Sequence, residues 1–210
     1  STFQGLYGLS WVSGQITILD NAALCEDLAN YFITLLGPAG DTALVSDNGG
    51  ACEETGPLCE GSYSVMTQAH LDALVGCEAI DGLVRFILFE EANAAGLENL
   101  HFIGGDLLVW KTQMTSFTGL DNLEAVGGSV KEGGGPEDDN VLLESFQGLG
   151  RLAAIGGALE ISNNSALGSL NGVDSLSRIQ VNLLVYDNQA LTSIDGLSYL
   201  HHLGSMELGG

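Results

Sequence analysis

The chain has 210 residues, 45% of them hydrophobic, and its five Lys and Arg against 27 Asp and Glu give a formal net charge of −22. A charge this negative repels phosphate backbones, so nucleic acid is excluded as a partner. No stretch approaches the ~20 consecutive apolar residues of a membrane-spanning helix, so no membrane span is expected in these residues.

A unit of 24 residues repeats along the chain: LGRLAAIGGALEISNNSALGSLNG from Leu149, and VDSLSRIQVNLLVYDNQALTSIDG from Val173. Repetition at this period indicates a solenoid. Its L-x-I segment alternates like a short strand with one buried face, and equivalent strands of successive coils can pair only as parallel neighbours. We therefore predict a mainly β chain with short capping helices, folded as a right-handed parallel β-helix or leucine-rich-repeat-like solenoid.

Two segments near the start depart from the repeat. Apolar residues at near-helical spacing from Leu24 to Leu36 predict an amphipathic helix that covers the end of a stack of coils. A second helix is expected at about Val65 to Val75. The segment between them is rich in turn formers and cysteine, which is typical of a domain boundary. The predicted domains are therefore the end of one solenoid, residues 1–56, and a second solenoid, residues 57–210, that is truncated at its C-terminus.

The cysteines and one sequon bear on the compartment. The four cysteines are Cys25, Cys52, Cys59 and Cys77. They form no close C-x-x-C pair, which disfavours zinc and favours disulfides, and four cysteines allow three pairings. The sequon N-N-S offers Asn163 for a glycan if the chain enters a secretory pathway. Together these features predict an extracellular or cell-surface protein.

In the second solenoid each coil contributes a strand with two inward residues. These pairs are Val84/Phe86, Leu107/Val109, Leu159/Ile161 and Leu183/Val185. Glu132 falls where an inward Ile is expected. One Asn per coil occupies a further column, where an inward amide would satisfy backbone groups of a turn, or where the residues are ordinary exposed turn residues. This column contains Asn21, Asn140, Asn164 and Asn188.

The outward positions of the same strands predict a contact surface. Leu108 with Trp110, and Leu184 with Tyr186, place large apolar groups where a monomeric solenoid would carry polar ones. Exposed aromatic residues are typical anchors of protein interfaces. Cover by a loop or by flanking chain is the alternative interpretation of these four residues.

Little in the sequence indicates chemistry. Glu137, Asp138 and Asp139 lie on a glycine-rich insertion, as ligands of a calcium ion would, but without the spaced order of an EF-hand, so we favour a solvated acidic loop. No other metal or cofactor is expected. No nucleophile elbow, phosphate loop, zinc motif or Ser/His/Asp order is present, and we predict that the chain is not an enzyme.

Two segments resemble the receptor L-domain family, the leucine-rich-like β-helical modules of insulin and epidermal growth factor receptor ectodomains and of fungal cell-wall proteins. HLDALVGCEAIDGLVRF resembles the opening of the family's domain. DNAALCEDLANYFITLL followed by DNGGACEETGPLC resembles its closing repeat and cap. The resemblance implies the disulfides Cys25–Cys52 and Cys59–Cys77. It implies no ligand, because binding residues in those receptors lie at variable surface positions.

The expected function is structural assembly through protein–protein contacts, as in a filament, coat, wall or adhesion layer. The expected partners are other copies of the chain or adjacent repeats of the same chain. The final MELGG stops within a repeat that a short bridge to the opening STFQG would restore, which predicts one period of a longer tandem array. The alternative is a ligand-binding ectodomain of a cell-surface receptor, which the family resemblance supports.

Overall fold

The structure is a computed structural model. It describes residues 58–133 and 140–209, together with the backbone of 17–19 and 44–46. The chain divides into two compact units, Ser1–Pro57 and Leu58–Gly210. In the first unit, strands β1 (Thr17–Leu19) and β2 (Leu44–Ser46) pair in parallel. The helix predicted between Leu24 and Leu36 lies outside the described residues.

The second unit is a parallel β-solenoid of about six turns, which confirms the fold predicted from the repeat. Each coil contributes strands to two ladders. The short-strand ladder contains β3 (Leu58–Cys59), β5 (Ala79–Ile80), β7 (Phe102–Ile103), β9 (Ala125–Val126) and β11 (Ala154–Ile155). The long-strand ladder contains β4 (Tyr63–Val65), β6 (Val84–Ile87), β8 (Leu107–Trp110), β10 (Val130–Glu132) and β12 (Leu159–Ser162).

Both ladders join in one long strand. The nine-residue β13 (Arg178–Tyr186) pairs with β11 near its start and with β12 near its end. The last strand, β14 (His202–Leu208), pairs with β13 along most of its length. The alternation of apolar residues predicts only the long-strand ladder. The strands of the other ladder are two residues long, which is too short to show a period of two.

Glycine pairs form the corner between the ladders. A Cβ on Gly127 would overlap the carbonyl oxygen of Gly104 in the preceding coil, so only glycine allows the coils to approach this closely. In the coil of β13, Gln180 and Val181 replace the pair. There the backbone continues through the corner as one strand.

The core is a column of apolar side chains, one layer for each coil. All eight inward residues predicted between Val84 and Val185 are buried, with exposed fractions of 5% or less. In two successive coils Phe117 and Phe146 stack, with ring centroids 5.2 Å apart. Burying a side chain of this size stabilises the fold by roughly 1.5–3 kcal/mol, so the column is the main source of stability.

The second predicted helix is shorter than expected. Helix α1 comprises Gln68–Asp72 and buries Leu71. Val65, predicted to begin it, instead ends β4, where it pairs with Phe86. The difference arises because the long-strand ladder extends one coil further toward the N-terminus than the repeat indicates. In the described part of the chain, no helix is long and apolar enough to cross a membrane.

A disulfide closes the first coil. Cys59 at the end of β3 is bonded to Cys77, and their Cα atoms are 5.8 Å apart. This is the pairing that the L-domain resemblance implies for these two residues. The bond therefore joins the segment after α1 to β3, and Cys77 is buried in the core.

Candidate interaction surface

One column of side chains on the long-strand ladder faces outward in continuous register. Its members are Ser64, Arg85, Leu108, Lys131, Glu160, Leu184 and Glu207. The register holds through the coil of the insertion, because Glu132 pairs with Val109 on one side and Ile161 on the other. We call this column, together with Trp110 and Tyr186, the outer sheet face.

Polar contacts link neighbouring rungs of this face. Arg85 Nη2 donates to Ser64 Oγ at 2.8 Å. Lys131 Nζ lies 3.4 Å from Glu160 Oε2, and Tyr186 OH donates to Glu160 Oε1 at 2.7 Å. A solvent-accessible ion pair contributes at most about 1 kcal/mol, so these contacts orient the side chains more than they stabilise the fold.

Three of the four predicted contact residues are partly exposed, and one is buried. Trp110, Leu184 and Tyr186 are half-buried. Leu108 is only 8% exposed although its strand position faces outward, which agrees with the alternative that it is covered. Its two neighbours in the column are Arg85 and Lys131. Leu108 therefore offers little area to a partner, in contrast to the other three residues.

The outer sheet face also concentrates basic residues. The chain has only five Lys and Arg against 27 Asp and Glu. Two of those five, Arg85 and Lys131, stand in the outward column. Glu160 and Glu207 balance them in the same column, so the face combines aromatic side chains with no net formal charge on an otherwise acidic protein.

The asparagine column lies inside the coils. Asn140 and Asn164 are fully buried and Asn188 is half-buried. Asn140 Nδ2 donates to Val109 O at 2.6 Å, and Asn188 Nδ2 donates to Ile161 O at 2.9 Å. Asn188 Oδ1 in turn accepts from the backbone N–H of Asn164 at 3.1 Å and from its Nδ2 at 3.0 Å. Each amide therefore connects its coil to a neighbouring one.

Glu132 joins this column. Its side chain is fully buried, and Oε1 accepts from Asn140 Nδ2 at 2.8 Å while Oε2 accepts from Asn164 Nδ2. Burial raises the pKa of this carboxyl from 4.5 to about 8, although the two amide hydrogen bonds act to lower it. From the sequence, Glu132 could be recognised only as an acidic residue at a position where an apolar one is expected. Nothing in the sequence predicted its hydrogen bonds to two asparagines.

The remaining predicted site residues have no common location. Asn163 is half-buried at a corner with φ 58°, and Ser165 of its sequon is exposed. No three His, Cys, Asp or Glu side chains among the described residues are placed to hold a metal ion. The predicted positions outside the described residues are Asn21, Cys25, Cys52, Glu137, Asp138 and Asp139.

Comparison with known proteins identifies no relative: no family model, no curated protein and no solved structure matches this chain. Its function is therefore inferred from its own residues and fold.

Proposed function

We propose that this chain is a non-enzymatic extracellular solenoid module that acts in structural assembly, in a filament, coat, wall or adhesion layer. The observation that supports this proposal is the outer sheet face. It combines partly exposed Trp110, Leu184 and Tyr186 with two of the five basic residues of a chain whose net charge is −22.

The partners are other copies of the chain or further repeats of it. Because the chain is acidic, two copies repel over most of their surface. In the outer sheet face Arg85 and Lys131 are balanced by Glu160 and Glu207, so this face can meet another copy with less repulsion. A contact between two different faces builds an open filament when its rotation does not close, and a ring when it does.

An extracellular location is supported by two further features. Disulfides such as Cys59–Cys77 persist in oxidising compartments. In the sequon for a glycan on Asn163, Asn163 is half-buried and Ser165 is exposed. The resemblance of the cysteine-containing segments to receptor L-domains agrees with both.

Sedimentation velocity of the full chain over a range of concentration and salt tests this proposal. We expect species larger than the 21.8 kDa monomer, and we expect them to become more abundant as added salt screens the repulsion between acidic copies. The double variant Trp110→Ala/Lys131→Glu should remain monomeric. Leu142→Ala is the control, because Leu142 is 41% exposed but lies off the outer sheet face.

Wild-type protein that stays monomeric at every concentration would contradict the assembly role. It would favour the ligand-binding receptor ectodomain, which the L-domain resemblance also supports. Equal loss of association in the Leu142→Ala control would show that the outer sheet face is not the contact.

A further inference from the structure

The outward column of the long-strand ladder is symmetric in chemical character about its middle. From β6 to β14 it presents a basic, an apolar, a basic, an acidic, an apolar and an acidic side chain in turn. These residues are Arg85, Leu108, Lys131, Glu160, Leu184 and Glu207. The midpoint lies between Lys131 on β10 and Glu160 on β12. Each basic residue on one side of the midpoint has an acidic residue at the same distance on the other side, and the two leucines also match.

The residues two positions further along the same strands share this midpoint. They are Ile87, Trp110, Gly133, Ser162 and Tyr186. The two small residues, Gly133 and Ser162, lie nearest the midpoint, and Trp110 and Tyr186 lie one coil further out on either side. The aromatic residues of the outer sheet face therefore follow the same symmetry as its charges.

The outermost charges of the column have no ion-pair partner in the described part of their own chain. Arg85 Nη2 donates to Ser64 Oγ, and Arg85 Nε is buried without a hydrogen-bond partner. Among the described residues, neither Arg85 nor the exposed Glu207 forms an ion pair. Lys131 and Glu160 are paired with each other, but 40% and 23% of their side chains remain exposed. All four charges are therefore placed to contact a partner laid against this face.

We propose that the outer sheet face binds the same face of a second copy about a two-fold axis. The axis runs parallel to the strands and passes between β10 and β12. Lys131 of each copy then faces Glu160 of the other, and Arg85 faces Glu207. At the axis the two lysines and two glutamates alternate, so each carboxylate lies between two ammonium groups. Complementary charges of this kind fix the register of an interface.

The apolar residues meet their counterparts in the same arrangement. Half-buried Leu184 of each copy lies over Leu108 of the other, which is only 8% exposed and leaves little area to be covered. Trp110 and Tyr186 from opposite copies come together on either side of the axis. Aromatic residues near the centre of an interface are its usual anchors. No charge of the column is left opposite an apolar group.

Other ways of pairing the two faces bring like charges together. A shift of the axis by one coil in either direction places Lys131 against Lys131, or Glu160 against Glu160. An axis parallel to the stack of coils would put each coil level with the same coil of the other copy, and so would set each charge against its own kind. Like charges brought together at an interface are strongly unfavourable, so the charge pattern selects one register.

The pairing rests on the proposed function, since it names the partner of the same surface. A contact in which both copies use one face closes on itself at two copies. A closed pair is then the unit from which an assembly is built. Added salt screens the long-range repulsion between the two acidic chains, and it weakens the close ion pairs at the axis much less.

Exchange of the two charges at the axis tests this pairing. In the full 210-residue chain, Lys131→Glu alone sets four carboxylates around the axis, and Glu160→Lys alone sets four ammonium groups there. We expect each variant to dimerise at least about tenfold more weakly than wild type in sedimentation equilibrium. An equimolar mixture of the two should form a one-to-one heterodimer with an affinity within about threefold of wild type, because opposite charges face each other again.

The controls separate this effect from net charge. Arg151→Glu and Glu144→Lys make the same charge changes at exposed positions off the outer sheet face, and each should dimerise within about threefold of wild type. Both test variants remain strongly acidic, so their net charges cannot draw them together. If either one does not fold by circular dichroism, the double variant Lys131→Glu/Glu160→Lys replaces the mixture. It exchanges both charges within one chain and should dimerise like wild type.

The outcomes distinguish the pairing from the assembly role. Wild-type association that persists in both single variants, or that neither the mixture nor the double variant restores, would overturn the two-fold pairing and leave assembly standing. Wild-type species larger than a dimer that are lost in both single variants would also overturn it, because the contact would then join two different faces. Wild-type protein that stays monomeric at every concentration would overturn both.

Discussion

Asn188 Nδ2 donates to Ile161 O, a carbonyl of the preceding coil, at 2.9 Å. The same amide group donates to Tyr186 O, at the end of its own strand, also at 2.9 Å. One side chain therefore donates to two carbonyls at the place where the strands of the long-strand ladder end and the chain turns. Unpaired buried carbonyls are costly, so this column of amides lets the coils end their strands at a corner that is partly shielded from water.

Replacing Asn188 with Ala should destabilise the second unit by about 2–4 kcal/mol, because the carbonyls of Ile161 and Tyr186 lose their donor and Asn164 loses its acceptor. Urea unfolding followed by circular dichroism measures the change. Gln189→Ala is the control, since Gln189 is exposed one residue further on. Equal midpoints for the two variants would show that the amide is dispensable.

Gly148→Ala should destabilise the fold by about 2–4 kcal/mol. Gly148 has φ 105°, and a Cβ would overlap the backbone of Phe117 in the preceding coil. Gly150 lies two residues away with open space around it, so Gly150→Ala should leave the thermal midpoint nearly unchanged. A neutral Gly148→Ala would mean that the coils can separate here at little cost.

Leu88→Asn should stabilise the protein by about 0.5–1 kcal/mol. Leu88 has φ 52°, a left-handed conformation that is strained for leucine and tolerated by asparagine. It is 54% exposed, so the substitution removes little apolar contact. Leu142→Asn replaces an exposed leucine whose φ is not positive, and calorimetry should show no such gain for it.

Replacing Cys59 and Cys77 together with Ser should cost about 3 kcal/mol, because the bond closes a loop between residues 18 apart in sequence and so restricts the unfolded chain. The loss should be greatest in the first coil, and hydrogen exchange of Tyr63–Val65 compared with Leu159–Ser162 would locate it. Uniform loss of protection in both strands would instead indicate that the solenoid unfolds as a single unit.

The sequence predicted the features that depend on periodicity. The 24-residue repeat indicated the parallel solenoid, and the alternation of apolar residues placed Val109 and Ile161 inside. Because these properties follow from strand geometry alone, they needed no knowledge of neighbouring coils.

The features that depend on neighbours in space escaped prediction. The burial of Leu108 is not given by the alternation of its strand, which places the side chain outward. The left-handed backbone conformation of Leu88 could not be predicted from its sequence, since leucine rarely adopts a positive φ. The partnership of Glu132 with Asn164 joins residues 32 apart in sequence, and only the stacking of the coils brings them together.

The hydrogen bonds of Glu132 also give the coils an order. Where the inward strand positions of a coil are all aliphatic, replacing that coil by another of the same kind still buries aliphatic side chains against aliphatic side chains. The coil of Glu132 is different, because its carboxyl is matched to an asparagine within the same coil and to another in the next. Exchanging, deleting or duplicating coils at this point would leave Glu132 buried without its asparagine partners. This part of the repeat is therefore not interchangeable with the others.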